Sequence, residues 1–303
     1  MIDEPSRELI MSLVFRHFRV FFIIAIAILG PSIPSDAKDS IGWLEATAPP
    51  FFIHEGQYKG QGYEDQVTDI IIEHLPQYTH SRTIANITRH YYEFEQGHKV
   101  CNVGLYKTPE REKFMYFSIP SFFTYPTVLI IDKSKWTSFG RTKQVKLEDI
   151  LKSKKLIIGR GENRSYGKFV DEVLNRYGTK QNIFAFEGQE LSLHFFKMLK
   201  LDRLDGLIGL PEEAMYQAER LGIRDQIMTI DIEENQGNPE SWFSYVACSK
   251  TEWGRKAIED INHVLIEQRP SARYRATYER WLDESSHEGY RELYEKIFLT
   301  VTR

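Results

Sequence analysis

Residues 100–120 read Val-Cys-Asn-Val-Gly-Leu-Tyr-Lys-Thr-Pro-Glu-Arg-Glu-Lys-Phe-Met-Tyr-Phe-Ser-Ile-Pro. An apolar, strand-like run ends at Leu105 and opens into the turn Lys107-Thr108-Pro109-Glu110-Arg111. A strand that delivers Thr108 and Arg111 at its carboxyl end makes a grip for a carboxylate, because a guanidinium matches that group with two parallel hydrogen bonds. In open α/β sheets, ligands gather at such strand ends. The plainer alternative is a solvated turn in which Arg111 pairs with Glu110 or Glu112, an interaction of little energetic weight.

The chain around this turn narrows the setting. Arg16 and Arg19 precede the apolar run 20–30, and Pro31, Pro34 and Ser35-Asp36-Ala37 follow. This is the pattern of a secretory signal peptide over residues 1–37, cleaved near Ala37. The apolar run is shorter than the roughly 20 residues a membrane span needs, and an uncleaved anchor is the alternative. A periplasmic location follows. The formal charge is −4, and −3 without residues 1–37, which argues against nucleic acid as a partner. Aromatic residues make up 13% of the chain, enough for a core and for ligand-stacking walls. Two cysteines, Cys101 and Cys248, favour a disulfide over free thiols in an oxidising compartment. No Cys-x-x-Cys and no paired His spacing occurs, so neither a metal nor a cofactor is expected.

The elements that must hold the turn alternate. A strand at 40–47 runs into Pro49-Pro50-Phe51-Phe52, and Gly56, Gly60 and Gly62 mark a turn. Val67, Ile70, Ile71 and Leu75 have helical spacing, which Pro76 stops. A short strand at 81–84, a helix at 91–96 and the strand 100–105 complete a β-α-β-α-β series, predicting a mostly parallel sheet. After Pro126 a strand at 127–131 and a linker at 134–143 lead into a second series: helix 147–151, strand 156–159, the polar loop 160–167, helix 168–177, strand 183–186, helix 190–199 and strand 207–210. A helix then opens at Pro211. The strand 243–249 and helices 253–267 and 273–282 follow. Tyr290, Leu293, Tyr294, Ile297 and Phe298 form an apolar stripe expected to pack on the body.

Four short motifs in this order resemble the extracytoplasmic solute-binding proteins of family 3, the type that includes binders of polar amino acids for ABC transporters. They are Trp43 with Pro49-Pro50-Phe51 and Gly62-Tyr63-Glu64-Asp65; Gly97-His98-Lys99-Val100 leading to Thr108-Pro109-Glu110-Arg111; Phe117-Ser118-Ile119-Pro120; and Arg203-Leu204-Asp205-Gly206. Val100-Cys101 and Cys248-Ser249-Lys250 resemble an uncharacterised subgroup. The resemblance implies an α/β fold of two lobes (type II), each a mostly parallel sheet flanked by helices, with the second lobe inserted in the first. Lobe I would comprise 38–128 plus 244–303, and lobe II 129–243. It also puts Cys101 and Cys248 on neighbouring strands of lobe I, where a bond between them is expected.

The same resemblance implies a ligand site. Arg111 would grip a carboxylate, with Thr108 beside it and Gly104 and Tyr106 on the same edge. Phe51 and Trp43 are candidates for an aromatic wall, against the alternative of core packing. Ser165 and Tyr166 open a helix whose N–H groups could cap an anion. The family's acid for an α-ammonium falls at Leu210 or Pro211, while Glu212 and Glu213 come slightly later; the amine grip is either missing or supplied by Glu45 or Glu162, so the ligand need not be an α-amino acid. Lys107, Arg160 and Arg164 add positive charge. The implied function is capture of a small polar, carboxylate-bearing ligand by a monomer that hands it to a membrane transporter by hinge closure. A sensor that docks on a membrane receptor is the alternative. An enzyme on the same scaffold is disfavoured, since Glu45, Glu162 and His54 form no nucleophile–base set.

Overall fold

The computed structural model describes residues 38–161, 165–186, 193–235 and 239–302. The expected leader, Glu162, Arg164 and the start of the helix expected at 190 lie outside them. Eleven strands make two sheets. The first contains β1 (Asp39–Glu45), β2 (Tyr78–Ile84), β3 (Val100–Leu105), β4 (Met115–Phe123) and β11 (Phe243–Ser249), in the order β2-β1-β3-β11-β4. The second contains β5 (Val128–Asp132), β6 (Gln144–Val145), β7 (Ile158–Gly161), β8 (Ile183–Phe186), β9 (Gly206–Gly209) and β10 (Ile227–Ile232), in the order β6-β10-β5-β9-β7-β8. The first sheet thus takes strands from both sides of the second in sequence, so the second is inserted into the first.

Each sheet is mostly parallel, and in each the odd strand is a crossover product. β11 runs antiparallel to β3 and β4, and β5 runs antiparallel to β9 and β10. The connections between sheets are tied together, since the Thr124 N–H donates to the Trp242 carbonyl at 3.3 Å. β5 reads Val-Leu-Ile-Ile-Asp without alternation because both of its faces are covered. Val128 and Ile130 enter one apolar cluster with Phe196, Leu207 and Met215. Leu129 and Ile131 enter the other with Leu147, Ile158 and Ile230.

Helices α1 (Tyr63–Glu73) and α2 (Ile87–Glu95) follow β1 and β2. α1 buries Val67, Ile70 and Ile71, and its start is fixed by the Asp65 carboxylate, which accepts from the N–H groups of Gly62 (3.1 Å) and Ile53 (2.8 Å). α2 begins four residues before the expected 91, because the Asn86 side chain accepts from Arg89 N–H at 2.9 Å and caps it. In the second series stand α3 (Leu147–Ser153), α4 (Lys168–Tyr177), α5 (Leu193–Lys200) and α6 (Pro211–Arg220). α7 (Glu252–Gln268), α8 (Ala272–Glu279) and α9 (His287–Leu293) return to the first sheet. Strands β4, β6 and β10 go beyond the sequence expectation. β4 is buried along nearly its whole length, so it shows no period of two. The linker expected at 134–143 holds the 3-10 turn Lys133–Phe139. Among the described residues, no helix is long and apolar enough to cross a membrane.

The last apolar stripe packs on the body, as expected. Tyr290, Tyr294 and Phe298 are buried, and Phe123 stacks on Tyr290 and Phe298 at 5.8 and 6.4 Å. Arg269 fastens this segment. Its guanidinium is 1% exposed, lies 4.6 Å over the Phe298 ring, and donates to the carbonyls of Pro120 (2.9 Å) and Val301 (2.7 Å). Replacing it with Met would leave both carbonyls unpaired. We expect Arg269→Met to lower unfolding free energy by about 2–4 kcal/mol in urea titration, with the terminal segment losing amide-exchange protection.

Cys101 and Cys248 face each other in the β3–β11 register and are joined by a disulfide. The bridge spans 147 residues, a loop whose closure restricts the unfolded chain by up to about 5 kcal/mol in the chain-entropy account. Denaturant unfolding with and without reductant, or of Cys101→Ser/Cys248→Ser, should show a loss of about 3–5 kcal/mol.

Candidate ligand-binding site

The carboxyl ends of β3 and β9 and the start of α4 border one cavity of about 640 Å³. Tyr106 enters it from just beyond β3, Tyr125 and Trp242 from the two crossovers, Leu210 from beyond β9, and Tyr166 and Lys168 from the start of α4. Among the described residues none of its lining side chains is a carboxylate. Two concavities of similar volume, about 650 and 680 Å³, gather no residue from the ends of β3 or β9.

Of the residues singled out in the sequence, Tyr106, Ser165 and Tyr166 meet at this cavity. Tyr106 is 52% exposed. Tyr166 is buried, and its hydroxyl accepts from Gly161 N–H at 2.6 Å. The start of α4 is capped from within: Asp171 accepts from Tyr166 N–H at 2.9 Å and from the Ser165 hydroxyl. That amide is therefore engaged by a carboxylate of its own helix.

Arg111 lies beneath the rim. It opens the 3-10 turn Arg111–Lys113. Its guanidinium donates to the Tyr106 carbonyl at 2.6 Å and lies 5.4 Å over the Tyr91 ring. Its backbone N–H donates to Thr108 Oγ1 at 3.4 Å. Lys107 pairs with Glu112 at 3.2 Å. Arg111 thus pairs with neither Glu110 nor Glu112 and holds the backbone of the residue that lines the cavity.

Trp43 is not placed on an open wall. It is 1% exposed, stacks on His80, and its Nε1–H donates to His80 Nδ1 at 3.1 Å; β1 is interior to its sheet, so its apolar side chains are core. Phe51 is partly buried against Tyr63, with ring centres 5.1 Å apart. Glu45 is engaged elsewhere. It is 4% exposed and pairs with Arg82, whose other donors reach Asp69 at 2.8 Å and approach Asp65 at 3.9 Å. His54 approaches Glu45 at 3.7 Å. Glu45, His54 and Asp65 sit close together, and Arg82 supplies their counter-charge. Glu212, in the first turn of α6, is buried and accepts from the Tyr278 hydroxyl at 3.0 Å.

One residue went unread as a site candidate. Glu64, in the first turn of α1, is 6% exposed, and among the described residues no side chain pairs with its carboxylate. It occupies the space that Gly104 leaves open: a Cβ on residue 104 would stand 1.8 Å from Glu64 Oε1. Burial, together with the charges of Asp65 and Glu45, pushes Glu64 up from its ordinary 4.5 to about 8. The sequence signal was an acid two residues after Gly62 with a glycine on β3, legible only once α1 is laid over that strand.

Below pH 4.5 this carboxyl is neutral in both folded and unfolded chains and costs nothing. Between 4.5 and about 8 the unfolded chain is ionised and the folded chain is not, so stability falls as pH rises. Glu64→Gln removes that slope. We expect its unfolding free energy to exceed that of wild type at pH 8 by about 3–5 kcal/mol, and the two to converge near pH 4.5, in urea titration.

No family model matches the chain, and no curated protein matches it. Solved structures do. The second substrate-binding domain of a protein described as an amino acid ABC transporter from Streptococcus pneumoniae superposes with a TM-score of 0.61 at 16% identity, covering 80% of this chain and 100% of that one. An ancestral cationic amino acid solute-binding protein gives 0.60 at 17%, covering 81% and 96%. A polar amino acid ABC uptake transporter substrate-binding protein from Streptococcus thermophilus gives 0.58 at 16%, covering 84% and 91%. Two sheets flanked by helices, one inserted in the other, with a cavity at the facing strand ends, give this chain the two-lobed fold of the substrate-binding proteins of amino-acid ABC transporters.

Proposed function

We propose that this chain is an extracytoplasmic solute-binding protein. Lobe I (38–128 plus 244–303) and lobe II (129–243) would close on a small polar, carboxylate-bearing ligand, which is then delivered to an ABC-type membrane transporter. The observation that carries this is the cavity of about 640 Å³, to which Tyr106 comes from one sheet and Leu210 and Lys168 from the other. Its volume suits a small solute. Among the described residues its walls pair aromatic faces with a lysine and no carboxylate side chain, a surface matched to an anionic group. The fold is shared with proteins of this role, and binding without turnover is the corresponding activity. Two crossovers tied at Thr124 and Trp242 provide the hinge.

Arg111 supports the carboxylate in this account, directly or by fixing Tyr106 at the rim. Thermal-shift screening of wild type against small carboxylates, followed by calorimetry on the best hit, tests it. Arg111→Ala should weaken that hit by about 10- to 100-fold, the range of a lost charge-assisted hydrogen bond. Unchanged affinity would remove Arg111 from the site.

A further inference from the structure

Helix α6 follows β9 of the second sheet, yet part of it is buried against the first lobe. Tyr216 is 6% exposed and belongs to the apolar cluster of the first sheet. Its ring meets Trp281 edge-on at 5.5 Å and Tyr58 at 6.3 Å, and Tyr58 meets Trp281 at 5.8 Å. Rings crossed in this way attract beyond the area they bury. Polar bonds flank the three rings. At the start of α6, the Tyr278 hydroxyl donates to Glu212 at 3.0 Å and accepts from the Tyr125 N–H of the first crossover at 2.8 Å. At its end, the Tyr58 hydroxyl donates to Glu219 at 3.1 Å. Just beyond, Arg224 Nη2 donates to the carbonyls of Arg280 (2.7 Å) and Leu282 (2.9 Å), which follow α8. Asp283 accepts from the Thr229 N–H of β10 at 3.3 Å. The lobe I side of this seam is itself braced, since Trp281 Nε1–H donates to the Gln61 carbonyl at 3.3 Å and Arg280 to the Gln61 side chain at 2.8 Å.

Apart from the Tyr125 amide, none of these contacts lies on the crossovers, so bending there does not by itself free the lobes. To separate, they must draw Tyr216 away from Tyr58 and Trp281 and break the Arg224 bonds. Close-packed contacts of this kind are held or broken rather than stretched. We propose that α6 with Arg224 is a latch between the lobes. It holds Leu210 and Lys168 of lobe II facing Tyr106 of lobe I across the cavity, and the lobes part only when it opens as a unit. This goes beyond the solute-binding reading and does not depend on it, because Tyr216, Arg224 and Trp281 stand outside the cavity lining.

The test uses the full mature chain with no added solute. Amide hydrogen exchange read by NMR follows the Thr229 N–H, whose acceptor lies across the seam, and small-angle scattering follows the separation of the lobes. In wild type the Thr229 amide should be protected. Arg224→Ala, a change at a partly exposed side chain, should speed its exchange by about tenfold or more and raise the radius of gyration. The amides of β9, which pair within the second sheet, should keep their wild-type rates. Tyr216→Ala, which removes the central ring, should act in the same direction. If the wild-type Thr229 amide exchanges as a free amide while β9 is protected, the seam is open in solution and the latch is overturned. It is overturned equally if both variants keep the wild-type exchange and radius. If β9 amides speed up in step with Thr229, the contacts serve the folding of lobe II alone, and the latch again falls. No solute enters these measurements, so solute binding stands or falls separately.

Discussion

The return of β11 between β3 and β4 is the constraint from which the site follows. Until that strand arrives, β3 and β4 are joined by few contacts and the first sheet has a gap. When it arrives, Cys248 lies beside Cys101, and the chain leaving β4 must run next to the chain entering β11. Those adjacent segments are the crossovers held by Thr124 and Trp242, and between them they leave the floor of the cavity. The topology therefore puts the disulfide and one of the two crossovers on the same strand, β11.

Electrostatics divide the buried acids of the first sheet into two kinds. Glu45 pairs with Arg82, which also reaches the half-exposed Asp69, and Asp65 accepts from two backbone N–H groups although burial still raises its pKa. Glu64 is left out of that network although it is next to Asp65 in sequence. A glycine opposite it makes room for the carboxyl and supplies nothing to satisfy it. Arg269 shows the contrast: it is a buried charge too, but its two terminal nitrogens donate to two carbonyls and its plane lies over a ring, which holds the chain end.

Much of this was legible before the structure. Alternating apolar runs separated by turn residues yield the α/β class, and the family resemblance carried by four short motifs implies two lobes with one inserted. The strand ending at Leu105 and the helix starting at Pro211 stand where periodicity puts them. What escaped is what tertiary packing decides. β4 and β5 are covered on both faces, so they carry no alternation, and β10 follows a short 3-10 turn rather than a loop rich in glycine. At the site, Trp43 could be wall or core from sequence alone; only the interior position of β1 makes it core. Arg111 could be a grip or a surface pair from sequence alone; its bond to the Tyr106 carbonyl was not legible. Glu64 sat inside a quoted motif and stayed unread, because its meaning depends on Gly104, forty residues away in sequence and in contact only in the fold.

The central claim is that a small solute occupies the cavity between the two sheets. Native mass spectrometry of the protein, purified without added ligand and exchanged into volatile buffer, addresses it most directly. The account predicts a species heavier than the disulfide-bonded chain by one small polar molecule, lost on mild activation and regained when the released molecule is added back. A single unliganded mass, with no solute recovered from the denatured protein, would contradict it.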